Sequence, residues 1–218
     1  MIEYLKRIIY ESPLAFVYLY LRHHFPNRRT ARQWIAAGRP TDILPPHYIK
    51  QQIVREYGQR FGLHTLVETG TYMGDMVFAM RNDFTRIYSI ELSPLLARRA
   101  QQYFTRCPHI TIIEGDSGQV FSQLLPTLDT PPLFWLDGHF SHGLTAKGDL
   151  NTPIRREITA ILTTLHITCC ILIDDACAFG NWTNYPPLEE VRQLVATLRP
   201  GWTVTVEEDV IRITPDHF

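Results

Sequence analysis

Several features that mark particular protein classes are absent from this 218-residue sequence. Its four cysteines form no Cys-x-x-Cys pair, which argues against a zinc site or a thioredoxin-type redox pair and favours reduced cysteines. No apolar run approaches the roughly 20 residues of a membrane span, and no signal-peptide cleavage pattern follows the N-terminal apolar stretch. We therefore expect a cytoplasmic protein without a membrane span.

The sequence also lacks a surplus of charge, with 21 Lys and Arg residues against 22 Asp and Glu residues. Non-specific nucleic-acid binding needs a basic surplus, so we expect no nucleic-acid partner. The balance conceals two unlike parts. Residues 1–60 hold ten basic and four acidic residues, a net +6, whereas residues 61–218 hold eleven and eighteen, a net −7.

The remaining pattern is that of about one globular domain with an added N-terminal segment. Residues 1–45 are interpreted as a helical extension with short helices at 2–10 and 14–21, separated and followed by prolines. Residues 46–218 are interpreted as the main domain. Helices are expected there at about 49–61, 75–81, 94–104, 118–128, 153–165 and 188–198.

Apolar, β-branched runs alternate with these helices. They predict strands at 65–68, 87–91, 110–114, 133–137, 169–174, 203–207 and 210–214. Strand–helix alternation predicts an α/β fold with a doubly wound, Rossmann-like sheet of seven mostly parallel strands. The last two strands are separated by only Glu208 and Asp209, which is too short for a crossover, so they are expected to form an antiparallel C-terminal hairpin.

Each of the first five predicted strands ends in a carboxylate or leads directly into one. These acids are Glu68, Glu91, Glu114 with Asp116, Asp137, and Asp174 with Asp175. In open α/β sheets the ligand binds outside the carboxyl ends of the strands. The acids are therefore expected to line one crevice.

The turn after the first strand contains Gly70, Tyr72 and Gly74, flanked by Glu68 and Asp75. Glycines here permit a tight turn and close approach of a ligand, but Tyr72 replaces the central glycine of a dinucleotide fingerprint. Two flanking carboxylates suit a ligand with a positive centre better than a pyrophosphate.

Two further acids follow the next two strands. Glu91 is placed to accept hydrogen bonds from ribose hydroxyls, which both NAD and S-adenosylmethionine carry. Asp116 and Ser117 are placed near an adenine amino group, although an N-cap role for this pair stays open.

The motifs V-E-T-G-T-Y-M-G-D, S-I-E-L-S and I-E-G-D-S resemble the first three motifs of class I S-adenosylmethionine-dependent methyltransferases. The first is similar to metal-dependent O-methyltransferases of the catechol and caffeoyl-CoA type. W-L-D-G-H-F-S and I-L-I-D-D-A resemble macrocin-type sugar O-methyltransferases. The resemblance spans about residues 45–215 and implies S-adenosylmethionine as cofactor. The cofactor-binding residues would be Glu68, Gly70, Tyr72, Gly74, Glu91, Asp116, Ser117 and Asp137.

The carboxylates of Asp137, Asp174 and Asp175 end neighbouring strands and are expected to converge. Like charges this close need a cation between them. Three hard oxygen ligands suit Mg²⁺ or Ca²⁺ as that cation. The resemblance likewise implies that the corresponding acids bind a divalent metal, usually Mg²⁺, which holds the acceptor hydroxyl.

Methyl transfer to a hydroxyl also needs a base. Catechol-type enzymes carry a lysine three residues after the first metal-ligating Asp, but Phe140 stands there in this sequence. His139, His142 or Asp137 is therefore expected to act as the base.

The leading hypothesis is a divalent-metal-dependent O-methyltransferase acting on a hydroxyl of a small molecule, either a sugar or glycoside or a phenol. Two alternatives stay open, an NAD-dependent oxidoreductase and a non-catalytic methyltransferase-like binding module. The basic N-terminal extension could cover the crevice, touch an anionic surface or form a homodimer, or it could be a solvated helical arm.

Overall fold

The computed structural model describes residue 12 and residues 15–24, 28–138 and 152–216. Eight α-helices lie in these ranges: α1 (Ala15–His24), α2 (Arg28–Ala36), α3 (His47–Arg60), α4 (Asp75–Met80), α5 (Pro94–Tyr103), α6 (Ser117–Leu124), α7 (Ile154–Thr164) and α8 (Leu188–Leu198). Seven strands accompany them: β1 (Thr65–Thr69), β2 (Arg86–Glu91), β3 (Ile110–Glu114), β4 (Pro132–Leu136), β5 (Cys170–Ile173), β6 (Trp202–Glu207) and β7 (Val210–Pro215).

The strands form one sheet in the order β3-β2-β1-β4-β5-β7-β6. Strands β1 to β5 are parallel to their neighbours, and β7 runs antiparallel to both β5 and β6. The predicted α/β fold with its C-terminal hairpin is thus confirmed. The order reverses at β1, which lies between β2 and β4, and this switch point is where open α/β sheets bind ligands.

Both faces of the sheet are buried, because successive strand residues point to opposite sides. Leu66 and Leu133 pack on the face covered by α3, α4 and α5. Val67 and Phe134 pack on the other face, against α6, α7 and α8. Burial on two sides explains why these strands read as continuous apolar runs rather than as alternating patterns.

The β6–β7 hairpin closes through a two-residue turn at Glu208 and Asp209. Both have positive φ, 53° and 59°. Such a turn twists in the same sense as the strands, and Asp tolerates its left-handed conformation. The turn therefore projects Glu208 and Asp209 from the end of the sheet where β5 finishes.

Two helices precede α3 in the described part of the chain. α1 overlaps the helix predicted at 14–21, whereas α2 was not predicted; the helix predicted at 2–10 lies outside the described residues. α1 packs against α4, where the buried His23 stacks on Phe78, and its buried Leu19 packs with Met73 and Leu96. The division between an extension at 1–45 and a domain at 46–218 stays a prediction.

Among the described residues, no helix is long and apolar enough to cross a bilayer. All four cysteines are free thiols.

Candidate active site

The tips of β1, β4 and β5 are held side by side beyond the ends of the strands. The amide of Asp137 donates to the Thr69 carbonyl at 3.1 Å, and that of Asp174 to the Leu136 carbonyl at 3.0 Å. These bonds continue the parallel ladder by one residue. The sheet thus places Thr69, Asp137 and Asp174 along one edge of the crevice.

The glycine turn after β1 needs its glycine at position 70. Gly70 has φ of +85°, and a Cβ there would lie 2.5 Å from the carbonyl oxygen of Asp137. Gly74, also at positive φ, precedes α4, and Tyr72 has a left-handed φ of 48°. A non-glycine residue in that region is uncommon and is often found at functional sites.

Glu68 is buried under this turn and receives a hydrogen bond from the Ser89 hydroxyl on the neighbouring strand. Ser89 also contacts the Thr71 hydroxyl at 2.5 Å. Burial raises the pKa of Glu68 well above its ordinary value, and the Ser89 hydrogen bond opposes this. The Glu68 carboxyl is therefore linked to the turn through the hydroxyls of Ser89 and Thr71.

Glu91 holds the same turn from β2. Its two carboxylate oxygens accept hydrogen bonds from the amides of Tyr72 at 2.7 Å and Ser93 at 2.8 Å. The sequence predicted Glu91 as a ribose ligand. In this structure its carboxylate fixes the backbone at the crevice, and its four lone pairs still leave room for a further donor.

Asp116 behaves differently from an ordinary helix cap. It occupies the N-cap position of α6, yet its side chain makes no capping hydrogen bond. Its Oδ1 is buried and has no hydrogen-bond partner in the described part of the chain. Buried polar atoms are normally paired, so this oxygen indicates a missing ligand. Ser117, the next residue, is also buried.

Glu157 on α7, which the sequence leaves open as either a supplement to the site or a surface acid, is a further residue of the site. It is fully buried, and neither carboxylate oxygen reaches good hydrogen-bond geometry with a side chain or backbone group of the described ranges. Burial is the main cause that raises the pKa of Glu157 to about 7; the Ser117 and Thr69 hydroxyls oppose the shift, and the carboxylates of Asp116 and Asp137 add to it. A Cβ on Gly138 would lie 3.4 Å from Glu157 Oε1, which places this carboxyl beneath the β4 tip.

The two acids after β5, Asp174 and Asp175, form ion pairs with Lys50. Lys50 Nζ lies 2.5 Å from Asp174 Oδ1 and 3.4 Å from Asp175 Oδ1. Burial alone would lower the pKa of Lys50, but the two carboxylates outweigh it and raise the pKa above its usual value. Burial and Asp137 raise the pKa of Asp174, while Lys50 opposes this shift.

The carboxylates that gather within reach of one ion in the described residues differ from the predicted metal set. Oxygens of Asp174, Asp175 and Asp209 lie within 4.8 Å of one another. Asp209 comes from the β6–β7 turn and accepts a hydrogen bond from the Cys177 amide at 2.8 Å. Asp137 lines the same recess as Asp174 but is not part of this group.

These residues, as arranged, do not fit a divalent ion. Mg²⁺ requires oxygen ligands at about 2.0–2.1 Å in near-octahedral geometry. The Lys50 ammonium already occupies that position at Asp174 Oδ1, 2.5 Å away. A metal and this ammonium would compete for the same oxygen.

α1 approaches the glycine turn from outside. Arg22 holds the Asp75 carboxylate through Nε at 2.7 and 2.9 Å and through Nη2 at 2.5 Å. His23 stacks on Phe78 at 4.5 Å and contacts the Met73 carbonyl at 3.1 Å. Asp75 is therefore already paired with an arginine. The proposed bases His139 and His142 lie outside the described residues.

No protein-family model matches the sequence, and no curated protein matches it significantly. Solved structures do resemble it. An S-adenosylhomocysteine-bound methyltransferase from Podospora anserina is 18% identical, with a TM-score of 0.55, and the match covers 93% of this chain and 88% of that one.

Two bacterial O-methyltransferases are similar to the chain in the same way. One from Bacillus cereus is 15% identical, with a TM-score of 0.54 and coverage of 96% and 94% of the two chains. TomG from Streptomyces achromogenes is 13% identical, with a TM-score of 0.55 and coverage of 96% and 92%. The resemblance inferred from the motifs is thus confirmed at the level of the fold: the chain has the fold of class I S-adenosylmethionine-dependent methyltransferases.

Proposed function

We propose that the protein is an O-methyltransferase that moves a methyl group from S-adenosylmethionine to a hydroxyl of a small molecule. The observation that carries the proposal is the buried, unpartnered Oδ1 of Asp116, which follows β3 at the carboxyl end of the parallel strands. The similar structures from Podospora anserina and Streptomyces achromogenes contain S-adenosylhomocysteine and S-adenosylmethionine, respectively.

The residues present fit this cofactor. Asp116 can accept from an adenine amino group, and Glu91 retains lone pairs for ribose hydroxyls. The turn from Gly70 to Gly74 lets the backbone approach the ligand closely. When bound, S-adenosylmethionine supplies an electrophilic methyl group on a cationic sulfur.

The chain must then align an acceptor hydroxyl and accept its proton. Asp137, at the β4 tip, lines the recess between β4 and β5 and is our proposed base among the described residues. His139 and His142 stay alternative candidates. The Mg²⁺ site at Asp137, Asp174 and Asp175 stays a prediction, which the Lys50 ammonium beside Asp174 opposes.

Calorimetric titration with S-adenosylhomocysteine tests the cofactor part of the proposal. We expect binding to the wild type and at least tenfold weaker binding to Asp116→Ala, a loss of about 1.4 kcal/mol or more. The matched control is Asp129→Ala, whose side chain is 76% exposed, and it should bind like the wild type. Failure of the wild type to bind the ligand would refute the proposal, and stabilisation by NAD(H) instead would favour the oxidoreductase.

Labelled S-adenosylmethionine and a panel of acceptors test the reaction. Sugars, glycosides and phenols are the classes to compare, since the motifs resemble enzymes acting on both. Asp137→Asn is expected to lower turnover by about 100-fold or more, the usual contribution of a general base.

A homodimer through the N-terminal segment is also proposed. The outer side of α1 exposes four large apolar side chains: Phe16, Val17, Tyr20 and Leu21. Clustered apolar side chains at a surface favour association.

A further inference from the structure

Lys50 lies where the sequence led us to expect a metal ion. It projects from α3 toward the end of β5, and its side chain is only 11% exposed. Lysine is rarely buried unless it is paired. Among the described residues, its ammonium lies 2.5 Å from Asp174 Oδ1 and donates a longer hydrogen bond to Asp175 Oδ1, at 3.4 Å.

The surrounding acids need a cation. Asp174 and Asp175 have side chains 6% and 15% exposed, and with Asp209 they gather oxygens within 4.8 Å. Carboxylates this close repel one another unless a positive charge lies among them or one of them is protonated. The ammonium of Lys50 provides that charge from within the fold.

The hydrogen bonds around Asp174 support a built arrangement rather than a chance contact. Its Oδ1 accepts from the Asp175 amide at 2.7 Å while it pairs with Lys50. Asp175 has a left-handed φ of 53°, a conformation that costs a non-glycine residue energy. The backbone after β5 is thus shaped so that both carboxylates face the ammonium.

We propose that Lys50 is the resident cation of this acidic site, holding the position at Asp174 and Asp175 that a divalent metal would occupy. The protein would then carry out its reaction without a metal. The conclusion that the reaction needs no metal rests on the proposed function. The conclusion that Lys50 excludes a metal from the site does not.

Calorimetric titration of the protein with Mg²⁺ and with Mn²⁺ tests the exclusion directly. We expect no saturable binding to the wild type at millimolar metal. Lys50→Met should gain binding at least tenfold tighter than the wild type, because it leaves a cluster of hard oxygen ligands without a cation. Saturable binding to the wild type at millimolar metal or below would overturn the proposal, as would a folded Lys50→Met that gains none.

Two control variants separate this effect from general changes in charge. Lys50→Arg keeps the cation and should bind no metal. Arg55→Met removes a positive charge from the same helix, where Arg55 pairs with Asp83 at 3.1 Å, and should also bind none. If Lys50→Met does not fold, wild type and Lys50→Arg still decide the question, since binding by either contradicts the proposal.

The metal titration uses neither methyl donor nor acceptor, so its result is independent of the proposed function. In the activity assay, EDTA should change the wild-type rate by less than twofold. A rate that falls at least tenfold with EDTA and returns with Mg²⁺ would also overturn the proposal.

Discussion

At the residue scale, the burial of Glu157 makes the free energy of unfolding depend on pH. Its carboxyl is 0% exposed, and burial raises its pKa from 4.5 to about 7. The folded state therefore binds this proton more tightly than the unfolded state. Protonated Glu157 therefore adds to the free energy of unfolding in full below pH 4.5, and this contribution is lost as the pH rises through about 7.

Glu157→Gln keeps the shape of the side chain and removes its charge. We expect the variant to gain stability relative to the wild type between pH 4.5 and 8, by at most about 3 kcal/mol. Urea unfolding at pH 5 and pH 8 measures the difference. Glu189→Gln, at an exposed position on α8, is the control and should follow the wild type. Parallel pH profiles for wild type and Glu157→Gln would contradict the assignment.

The residues of the site differ in how well the sequence could predict them. Glu91 ends β2 and Asp116 comes two residues after β3, so strand patterning alone placed them at the crevice. Lys50 and Asp175 are 125 residues apart, and nothing local marks this lysine among the polar positions of its helix. Asp209 looked like a simple turn residue because its approach to Asp174 depends on β7 pairing with β5.

At the scale of elements, hydrophobic patterning predicted all seven strands and the helices between them. β5 was predicted two residues too long, because its flanking residues Cys169 and Asp174 are also buried. α2 escaped prediction because Ala31 and Trp34 are its only buried residues. So few apolar positions do not establish a helical period.

The docking of α1 is expected to depend on pH through His23. Burial is the main cause that lowers the pKa of His23 from 6.5 to about 4, although Asp75 opposes it. The folded state thus binds this proton less tightly than the unfolded state. The contribution of His23 to stability is complete above pH 6.5 and is lost as the pH falls toward 4.

His23→Phe keeps the ring against Phe78 and removes the titrating group. We expect the variant to lose less stability than the wild type between pH 6.5 and 4.5, with a difference approaching about 1.4 kcal/mol per pH unit. Chemical unfolding across this range measures it. His24→Phe, at an exposed position on the same helix, is the matched control. An unchanged pH slope for His23→Phe would contradict the prediction.

At the scale of the whole molecule, the two oppositely charged parts of the sequence pair with each other. Four basic residues of the first 60 contact acids of the remainder, in the pairs Arg22–Asp75, Arg39–Glu208, Lys50–Asp174 and Arg55–Asp83. The composition of the two parts predicts their opposite charges. It does not predict which residues pair, because the partners are far apart in the sequence and meet only in the fold. Part of the basic segment therefore lies over the acidic body rather than in solvent.

The exposed apolar face of α1 predicts a dimer that a single charge disrupts. Val17 is 56% exposed, and Val17→Lys is expected to convert the dimer to a monomer in size-exclusion chromatography with light scattering. Burying an unpaired ammonium in an interface is unfavourable. Val206→Lys, on edge strand β6 at 41% exposure, is the matched control and should remain a dimer. A monomeric wild type would exclude the assembly.

The hairpin turn also constrains when the site can form during synthesis. Domains fold as the chain emerges from the ribosome, N-terminal segments first. β7 lies between β5 and β6, so β5 remains an open edge until residues 210–215 have emerged. Asp209 reaches Asp174 and Asp175 only when that strand is in place. A nascent chain that ends before this hairpin would carry Lys50, Asp174 and Asp175 without the strand that covers the edge of β5. Another chain could pair with that exposed edge.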